Sequence, residues 1–250
     1  MAALQIIGVE GLGEITAGDD LALLINEALG RTGDGSLDGD VLVVTSKVVS
    51  KAEGAVVDLD TVSPSAFAAA FAEQWGKDAR VVEVVLQQSA RIVRMSGPVL
   101  ITETHHGLIC ANGGVDQSSS GAAGRVVVLP EDPDRSARRL RARFAELGVD
   151  VAVIISDTFG RPWREGQTDV AIGLAGLAPM VSYIGQHDPH GHEFRVQELC
   201  IADELAGAAE LVKGNISRVP AAVVRGVAWV RDDSATAQSL QRNPAHDLFR

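Results

Sequence analysis

Short apolar runs alternate along the chain with segments rich in Gly, Asp, Pro or Ser, and each run can be read by its period. Residues 4–9 predict a first strand, followed by a turn at Gly11 and Gly13. Asp19–Asp20 then caps a helix whose apolar positions, Leu21, Leu24, Ile25 and Leu29, recur at helical spacing, with Gly30 as its stop. Residues 41–45 form a β-branched run ending in Ser46–Lys47, residues 55–59 predict another strand, and the polar segment 46–54 between them reads as a loop. Ser63–Pro64 starts a helix in which Phe67, Phe71 and Trp75 lie on one face as a core-packing stripe.

Strand-like runs follow at 81–86, 99–103, 108–111 and 125–129, with a Gly/Ser-rich loop at 112–124. Asp132–Pro133 opens a helix that carries Arg135, Arg138, Arg139, Arg141 and Arg143 and stops near Gly148. Its basic face reads as solvated or paired with acidic neighbours. Residues 151–156 are the clearest buried strand, and Asp157–Thr158 follows it directly. Residues 196–213 predict a long amphipathic helix and 221–227 a final strand, after which the last stretch turns polar.

Composition narrows the class. With 250 residues, 46% apolar and 22% charged, the chain can bury a large core in one large domain or two small lobes. Its apolar runs are broken by charge or glycine, and the N-terminus lacks a basic region leading into a long apolar one, so the expectation is a cytoplasmic enzyme without a membrane span. Cys110 and Cys200 stand in apolar contexts without CxxC spacing and read as reduced packing residues. A net charge of -11 argues against nucleic acid and anionic membranes as partners. Any phosphorylated substrate must therefore be met by local lysines, backbone N–H groups or a metal.

Neither a GxxxxGK[ST] loop nor a GxGxxG turn is present, so a nucleotide site here has to be unconventional. Three segments bring polar groups to the end of an apolar strand, where mixed α/β proteins commonly build sites. Thr45-Ser46-Lys47-Val48-Val49-Ser50-Lys51 offers ammonium and hydroxyl donors for phosphate oxygens, or is an ordinary solvated loop. In Asn112-Gly113-Gly114-Val115-Asp116-Gln117-Ser118-Ser119 the paired glycines permit a tight turn that presents Asp116, either a surface carboxylate or a hard oxygen ligand suited to Mg²⁺ or Mn²⁺. Ser156-Asp157-Thr158-Phe159-Gly160-Arg161-Pro162-Trp163-Arg164 combines a metal-binding type of carboxylate, a hydroxyl and two arginines, with a helix-capping Asp as the alternative. His187, Asp188, His190 and His192 form a fourth cluster, open to reading as a zinc site or as a polar loop.

Taken in order, Gly11-Leu12-Gly13-Glu14-Ile15, Gly18-Asp19-Asp20-Leu21, the segment from Thr45 to Lys51, the Asn-Gly-Gly-Val-Asp turn, the segment from Ser156 to Arg164, Ala202-Asp203-Glu204-Leu205-Ala206 and Val223-Val224-Arg225-Gly226 resemble the coenzyme F-420-0:L-glutamate ligase family. The resemblance is collinear from about Leu4 to Val230, and SDTFGRPWR is its most specific motif. It implies an α+β, two-lobed gamma-glutamyl ligase fold assembled as an interwoven homodimer. It also implies an amide-forming enzyme that consumes GTP, adds L-glutamate to coenzyme F-420-0, and uses two Mg²⁺ or Mn²⁺ ions with K⁺ as a further cation.

By the same resemblance, Leu12, Gly13, Glu14, Ile15, Ser46, Lys51, Ser119, Lys213, Gly214 and Asn215 fall at nucleotide-binding positions. Asp116 and Asp157 fall at ligand positions of one metal, Thr158 and Asn215 at those of a second, and Asp157, Arg161 and Arg164 are expected to act on the transferred phosphoryl group. The chain departs from the family pattern at Gly13, where many relatives have Pro, at Ser119 in place of Asn, and at Asn215 in place of Gln or Glu. Residues 1–231 are expected to form the ligase domain. Residues 232–250 read as a tail, or as the start of a linker to a nitroreductase-like domain such as actinobacterial two-domain relatives carry. Two other readings stay open: a zinc hydrolase built on His187, His190 and His192, and a nucleotide-binding module without turnover.

Overall fold

A computed structural model describes residues 3–33, 37–118 and 123–247. The chain order is β1 (Gln5–Gly8), α1 (Leu21–Thr32), β2 (Val41–Thr45), α2 (Ser46–Ala52), β3 (Val56–Asp58), α3 (Ala66–Trp75), α4 (Ala79–Gln87), β4 (Ser89–Ser96), β5 (Val99–Thr104), β6 (Ile109–Ala111), β7 (Arg125–Val127), α5 (Pro133–Glu146), β8 (Ala152–Arg161), β9 (Arg164–Leu177), β10 (Val181–Ser182), β11 (Glu198–Leu199), α6 (Ile201–Lys213), β12 (Ala221–Arg225) and β13 (Arg231–Asp232). This is a mixed α+β architecture. Among the described residues, no helix is long and apolar enough to cross a membrane.

A six-stranded sheet in the order β1-β12-β2-β8-β9-β13 organises the molecule. Only β2 and β8 run parallel; the other neighbours are antiparallel. The side-chain period of two sorts the central strands onto two cores. Leu42, Val44, Val153 and Ile155 face α1 and α5, where they meet Ile25, Leu140 and Phe144. Val41, Val43, Ala152 and Ile154 face α6, where Ala202, Leu205, Ala206 and Ala209 cover them. Burying each such Val, Leu or Ile contributes about 1.5–3 kcal/mol, so the strands that carry both cores are the most firmly held part of the fold.

Two smaller apolar clusters lie beyond this sheet. One joins α3, α4 and β5 through Phe71, Val82, Val85 and Leu100, and the other joins Leu59, Val81, Val84, Val126 and Val128. They support an antiparallel sheet β4-β5-β6 and the pair β3-β7.

Several elements differ from the sequence reading. Residues 81–86 are helical, not a strand: Asp78 caps α4, and Val81, Val82, Val84 and Val85 are buried at helical spacing, so tertiary burial overrides β-branched propensity. Residues 46–52 form α2 rather than a loop. The long helix expected over 196–213 begins at Ile201, because residues 198–199 pair with β10. α1 runs past Gly30 to Thr32 and ends at Gly33, whose φ of 78° is the left-handed cap a glycine accepts. Of the three aromatics of α3, Phe71 is buried, while Phe67 stacks on it and both Phe67 and Trp75 are exposed, so the aromatic stripe is only partly core.

Other expectations match. Asp20 accepts from Leu23 N at the start of α1, and Asp132 accepts from Arg135 N at the start of α5. Arg135, Arg141 and Arg143 pair with acidic neighbours. Cys110 and Cys200 are free thiols. The polar C-terminal stretch is packed rather than loose: Ala237 is buried against the α6-side core, and Gln241 Nε2 donates to His106 O at 2.7 Å.

Candidate active site

The sheet opens where β2 ends. β2 and β8 pair only as far as Thr45 opposite Ser156; there the chain of β2 turns into α2, while β8 continues with β9 as a hairpin. A cleft of about 400 Å³ fills the gap. Its floor is Ser156, Asp157, Thr158 and Asp169; one wall is Lys47, Val48 and Lys51 of α2; the rim is the segment from Leu12 to Ile15 and the loop carrying Gly214, Asn215 and Arg218.

The floor is a closed polar network. Ser156 and Thr158 project to the same side of β8, where the Ser156 hydroxyl donates to Asp169 Oδ2 at 2.8 Å and the Thr158 hydroxyl donates to Asp169 Oδ1 at 2.7 Å. Lys213, the last residue of α6, is 0% exposed and donates to both Ser156 Oγ and Asp169 Oδ2 at 2.7 Å. Burial opposes ionisation of Asp169, but the Lys213 ammonium and the hydroxyl donors outweigh it and hold the carboxyl below its usual range. Glu210, one turn earlier on α6, is raised by burial and by the charge of Asp169.

Asp157 points the other way and meets α2. Ser46 Oγ donates to its Oδ1 at 2.8 Å. Burial, reinforced by the charge of Asp169, pushes this carboxyl up to about 6 against the opposing pull of Ser46 and Lys47. The same burial, with Asp157 nearby, lifts the Cys110 thiol to about 12, which leaves it a neutral packing group.

Asp116 is brought near by backbone geometry. Asn112, Gly113 and Gly114 all have left-handed φ, at 53°, 61° and 68°, a run that the two glycines make affordable. Asp116 then forms a two-way backbone bridge with Val127. Its Oδ1 accepts from Ser118 N and Ser118 Oγ at 2.8 and 2.7 Å, and its Oδ2 pairs with Lys47 Nζ at 2.9 Å. Burial would raise this carboxyl, yet the Ser118 and Lys47 donors bring it down to about 2. Lys47 therefore stands between two carboxylates of opposite tendency, bonded to Asp116 and electrostatically felt by Asp157.

The wall and rim owe their arrangement to α2 being a helix. Lys47 and Lys51, four positions apart, share one helical face, and both line the cleft. Lys51 pairs with Glu14 across the mouth. Leu12, Gly13 and Ile15 line the same side, with Ile15 buried in the α1-side core as an anchor.

Of the residues singled out by sequence, Leu12, Gly13, Glu14, Ile15, Lys51, Asp157, Thr158, Gly214 and Asn215 line this one cleft, and Ser46 and Asp116 are tied to it by the bonds above. Lys213 lies beneath it, sealed from solvent. Arg161 and Arg164 are not part of its lining: Arg161 Nη2 donates to Glu165 O at 2.9 Å on the β8–β9 hairpin, roughly 14 Å along the strand from Asp157 at about 3.4 Å per residue. Ser119 lies outside the described residues. Sequence reading missed Asp169 and Glu210. A two-residue turn at Pro162–Trp163 would by itself set Gln167 opposite Thr158; the bulge between Gly160 and Arg161 shifts the register by two and brings Asp169 there instead.

The donor set bears on metals. Among the described residues, no group of three or more His, Cys, Asp and Glu side chains converges as a metal cage. The histidines at 187, 190 and 192 are exposed on a turn that Asp188 organises by accepting from the N–H groups of His190 and His192. The cleft offers hard oxygens and no His or Cys among its described lining: Asp157, Glu210 and Glu14, the Asp116 carboxylate behind Lys47, the Thr158 hydroxyl and the Asn215 amide, with Asp169 engaged by Lys213. Mg²⁺ and Mn²⁺ are commonly held by one or two carboxylates completed by substrate phosphates, and the residues present fit that pattern rather than a zinc cage.

Comparison with known proteins shows the family. The profile of the family described as F420-0:Gamma-glutamyl ligase matches residues 11–226. A protein of Methanothermobacter thermautotrophicus called coenzyme F420:L-glutamate ligase is 43% identical over 99% of both chains. Proteins with the same name from Methanopyrus kandleri and Methanocaldococcus jannaschii are 46% and 40% identical, over 95% and 85% of this chain and 94% and 85% of theirs.

Proposed function

The chain belongs to the F420-0:gamma-glutamyl ligase family, and on that premise we propose that it joins L-glutamate to coenzyme F-420-0 through an amide bond, with GTP as the energy source. The observation that carries this reading is the cleft itself. Carboxylates, lysines and a hydroxyl from β8, α2 and the 116–118 turn meet around a space whose lining is suited to phosphate oxygens and hard cations.

An unactivated carboxylate does not condense with an amine at neutral pH. The proposed sequence is transfer of the GTP γ-phosphoryl group to the acceptor carboxylate, which gives an acyl phosphate and GDP. The glutamate amine then attacks the acyl carbon, loses a proton, and releases inorganic phosphate. Lys47 and Lys51, on one face of α2, hold phosphate oxygens once their own partners, Asp116 and Glu14, release them. Asp157, Asp116, Thr158 and Asn215 would hold Mg²⁺ or Mn²⁺, with K⁺ as a further cation. Bound divalent ions supply charge neutralisation on the phosphoryl oxygens. The backbone from Leu12 to Ile15 and the Gly214–Asn215 loop flank the nucleotide at the rim.

Arg161 and Arg164 enter this reading through assembly. They sit on a hairpin whose tip residue, Trp163, is 84% exposed, an arrangement that suits an interwoven homodimer of two-lobed subunits. Light scattering on the purified protein measures that assembly.

The direct test is mass spectrometry of the deazaflavin after incubation with the protein, L-glutamate, Mn²⁺ and either GTP or ATP. The expected product carries one or more added glutamyl groups and forms with GTP. Unchanged deazaflavin with both nucleotides contradicts the proposal, and equal product with ATP contradicts its nucleotide preference.

A further inference from the structure

Lys213 and Asp169 form a buried ion pair at the floor of the cleft: Asp169 lines it at 2% exposure, and Lys213 lies beneath at 0%. An ammonium can only donate hydrogen bonds and an ion-paired carboxylate can only accept them, so chemistry fixes the direction of the bonds that the pair makes with Ser156 and Thr158; Glu210 stands alongside, 3.9 Å from Lys213 Nζ. Lys213 donates to Ser156 Oγ and to Asp169 Oδ2. Ser156, having accepted from Lys213, donates its own proton to Asp169 Oδ2. Thr158 donates to Asp169 Oδ1. The Thr158 hydroxyl lines the cleft, yet its proton is committed to Asp169, so only lone pairs are left to face the cavity.

We propose that Asp169, backed by Lys213, is a positioning residue that turns the Thr158 hydroxyl into an obligate acceptor facing the cleft, so that Thr158 presents a cation-binding oxygen and not a hydrogen-bond donor. This rests on the reading that divalent cations bind in the cleft. It gives Lys213 a role that its sequence position does not suggest: the ammonium acts from below the nucleotide site, through two side chains. Lys213 also makes the arrangement directional. With the ammonium in place, any group substituted for Asp169 must keep an acceptor toward Lys213 and Ser156. An asparagine there would turn its carbonyl to Lys213 and its NH₂ to Thr158, which would force the Thr158 hydroxyl to accept and push its proton into the cleft.

The test is Mn²⁺ binding to the metal-free protein, read as loss of the free-Mn²⁺ electron paramagnetic resonance signal, for the wild type, D169N, T158V and D169N/T158V. D169N is expected to weaken Mn²⁺ binding by about 10-fold or more, the usual effect of removing a partner that orients a ligand. In the T158V background the same substitution is expected to change affinity by less than about twofold, because the hydroxyl through which Asp169 acts is gone. A general structural loss would weaken binding in both backgrounds. D169N leaves the Lys213 ammonium buried without its carboxylate, so D169N/K213M is measured alongside. With no ammonium to satisfy, the amide is free to turn its oxygen toward Thr158, and affinity is expected to recover from the D169N value. Wild-type affinity in D169N, an undiminished loss in the T158V background, or no recovery in D169N/K213M overturns the positioning role. Absence of Mn²⁺ binding by the wild type overturns the cation reading together with it.

Discussion

The floor and the rim of the cleft both pair a lysine with a carboxylate, in opposite surroundings. On the floor, Lys213 and Asp169 are sealed under β8 and α6, and each polar atom of the pair has a fixed partner. At the rim, Lys51, whose side chain is 13% exposed, meets Glu14, whose side chain is 69% exposed, and water competes for the carboxylate. An exposed pair contributes little and exchanges partners cheaply, whereas breaking a buried one leaves an uncompensated charge. The floor is therefore set before any ligand arrives, and the rim is free to give up its internal pairs to an incoming polyanion. Asp116 and Lys47 stand between the two, half-buried and paired with each other.

Substitutions can break this contrast, and the largest effect is expected deepest. Lys213→Met removes the cation paired with Asp169 and should cost about 3–5 kcal/mol of stability, measured by chemical denaturation. A cost below about 1 kcal/mol would mean that the floor is not a fixed ion pair.

Asp157 should behave in the opposite sense. Its folded-state carboxyl lies at about 6, above the ordinary 3.8, so the folded protein holds a proton that the unfolded chain has released. Stability from this group is fully present below the unfolded value and is lost as pH rises through about 6. Asp157→Asn, with chelator present, should therefore stabilise the protein by roughly 1–3 kcal/mol at pH 8 and flatten the decline in stability between about pH 4 and 6. Denaturation series at several pH values decide this; a destabilised variant at pH 8 would show that the buried carboxylate is compensated after all.

Asp116 gives the mirror image with a smaller magnitude. Its carboxyl is held at about 2, so its contribution is present above the unfolded value and is lost as pH falls toward about 2. Asp116→Asn should cost roughly 1–2 kcal/mol at pH 7 and nothing at the lowest pH where the fold survives, in the same denaturation series. The smallest effect belongs to the rim. Glu14→Gln should shift stability by less than about 0.5 kcal/mol, and a larger loss in thermal unfolding would remove the distinction between rim and floor.

What the sequence revealed follows the same division. β2, β8 and β12 were legible because fully buried strands read as continuous apolar runs with β-branched residues. The capped helices α1 and α5 were legible from Asp20, Asp132 and Pro133. α4 was not, because a run of valines carries strand propensity, and only the packing of four of them on one side makes it a helix. Asp157, Thr158 and Asp116 stood out locally as polar residues beside apolar runs. Asp169 did not: it enters the site through a strand pairing that bulges interrupt, and one Asp at the head of an apolar run gives no sign of a partner many residues away. Lys213 was visible as a charge near a loop, but its complete burial depends on how α6 ends over β8 and β9.

The claim that joins these points is that the cleft between β8 and α2 is where glutamate is ligated, with Asp157 at its centre. The most direct measurement compares GTP-dependent glutamyl transfer by the wild type and by Asp157→Asn under saturating Mn²⁺, on samples whose unfolding is followed in parallel. Product formation should fall by about 1,000-fold or more, some 4 kcal/mol of lost transition-state stabilisation, while the variant, compared with chelator present, stays at least as stable as the wild type. Transfer within about tenfold of the wild type by a folded variant would contradict the assignment.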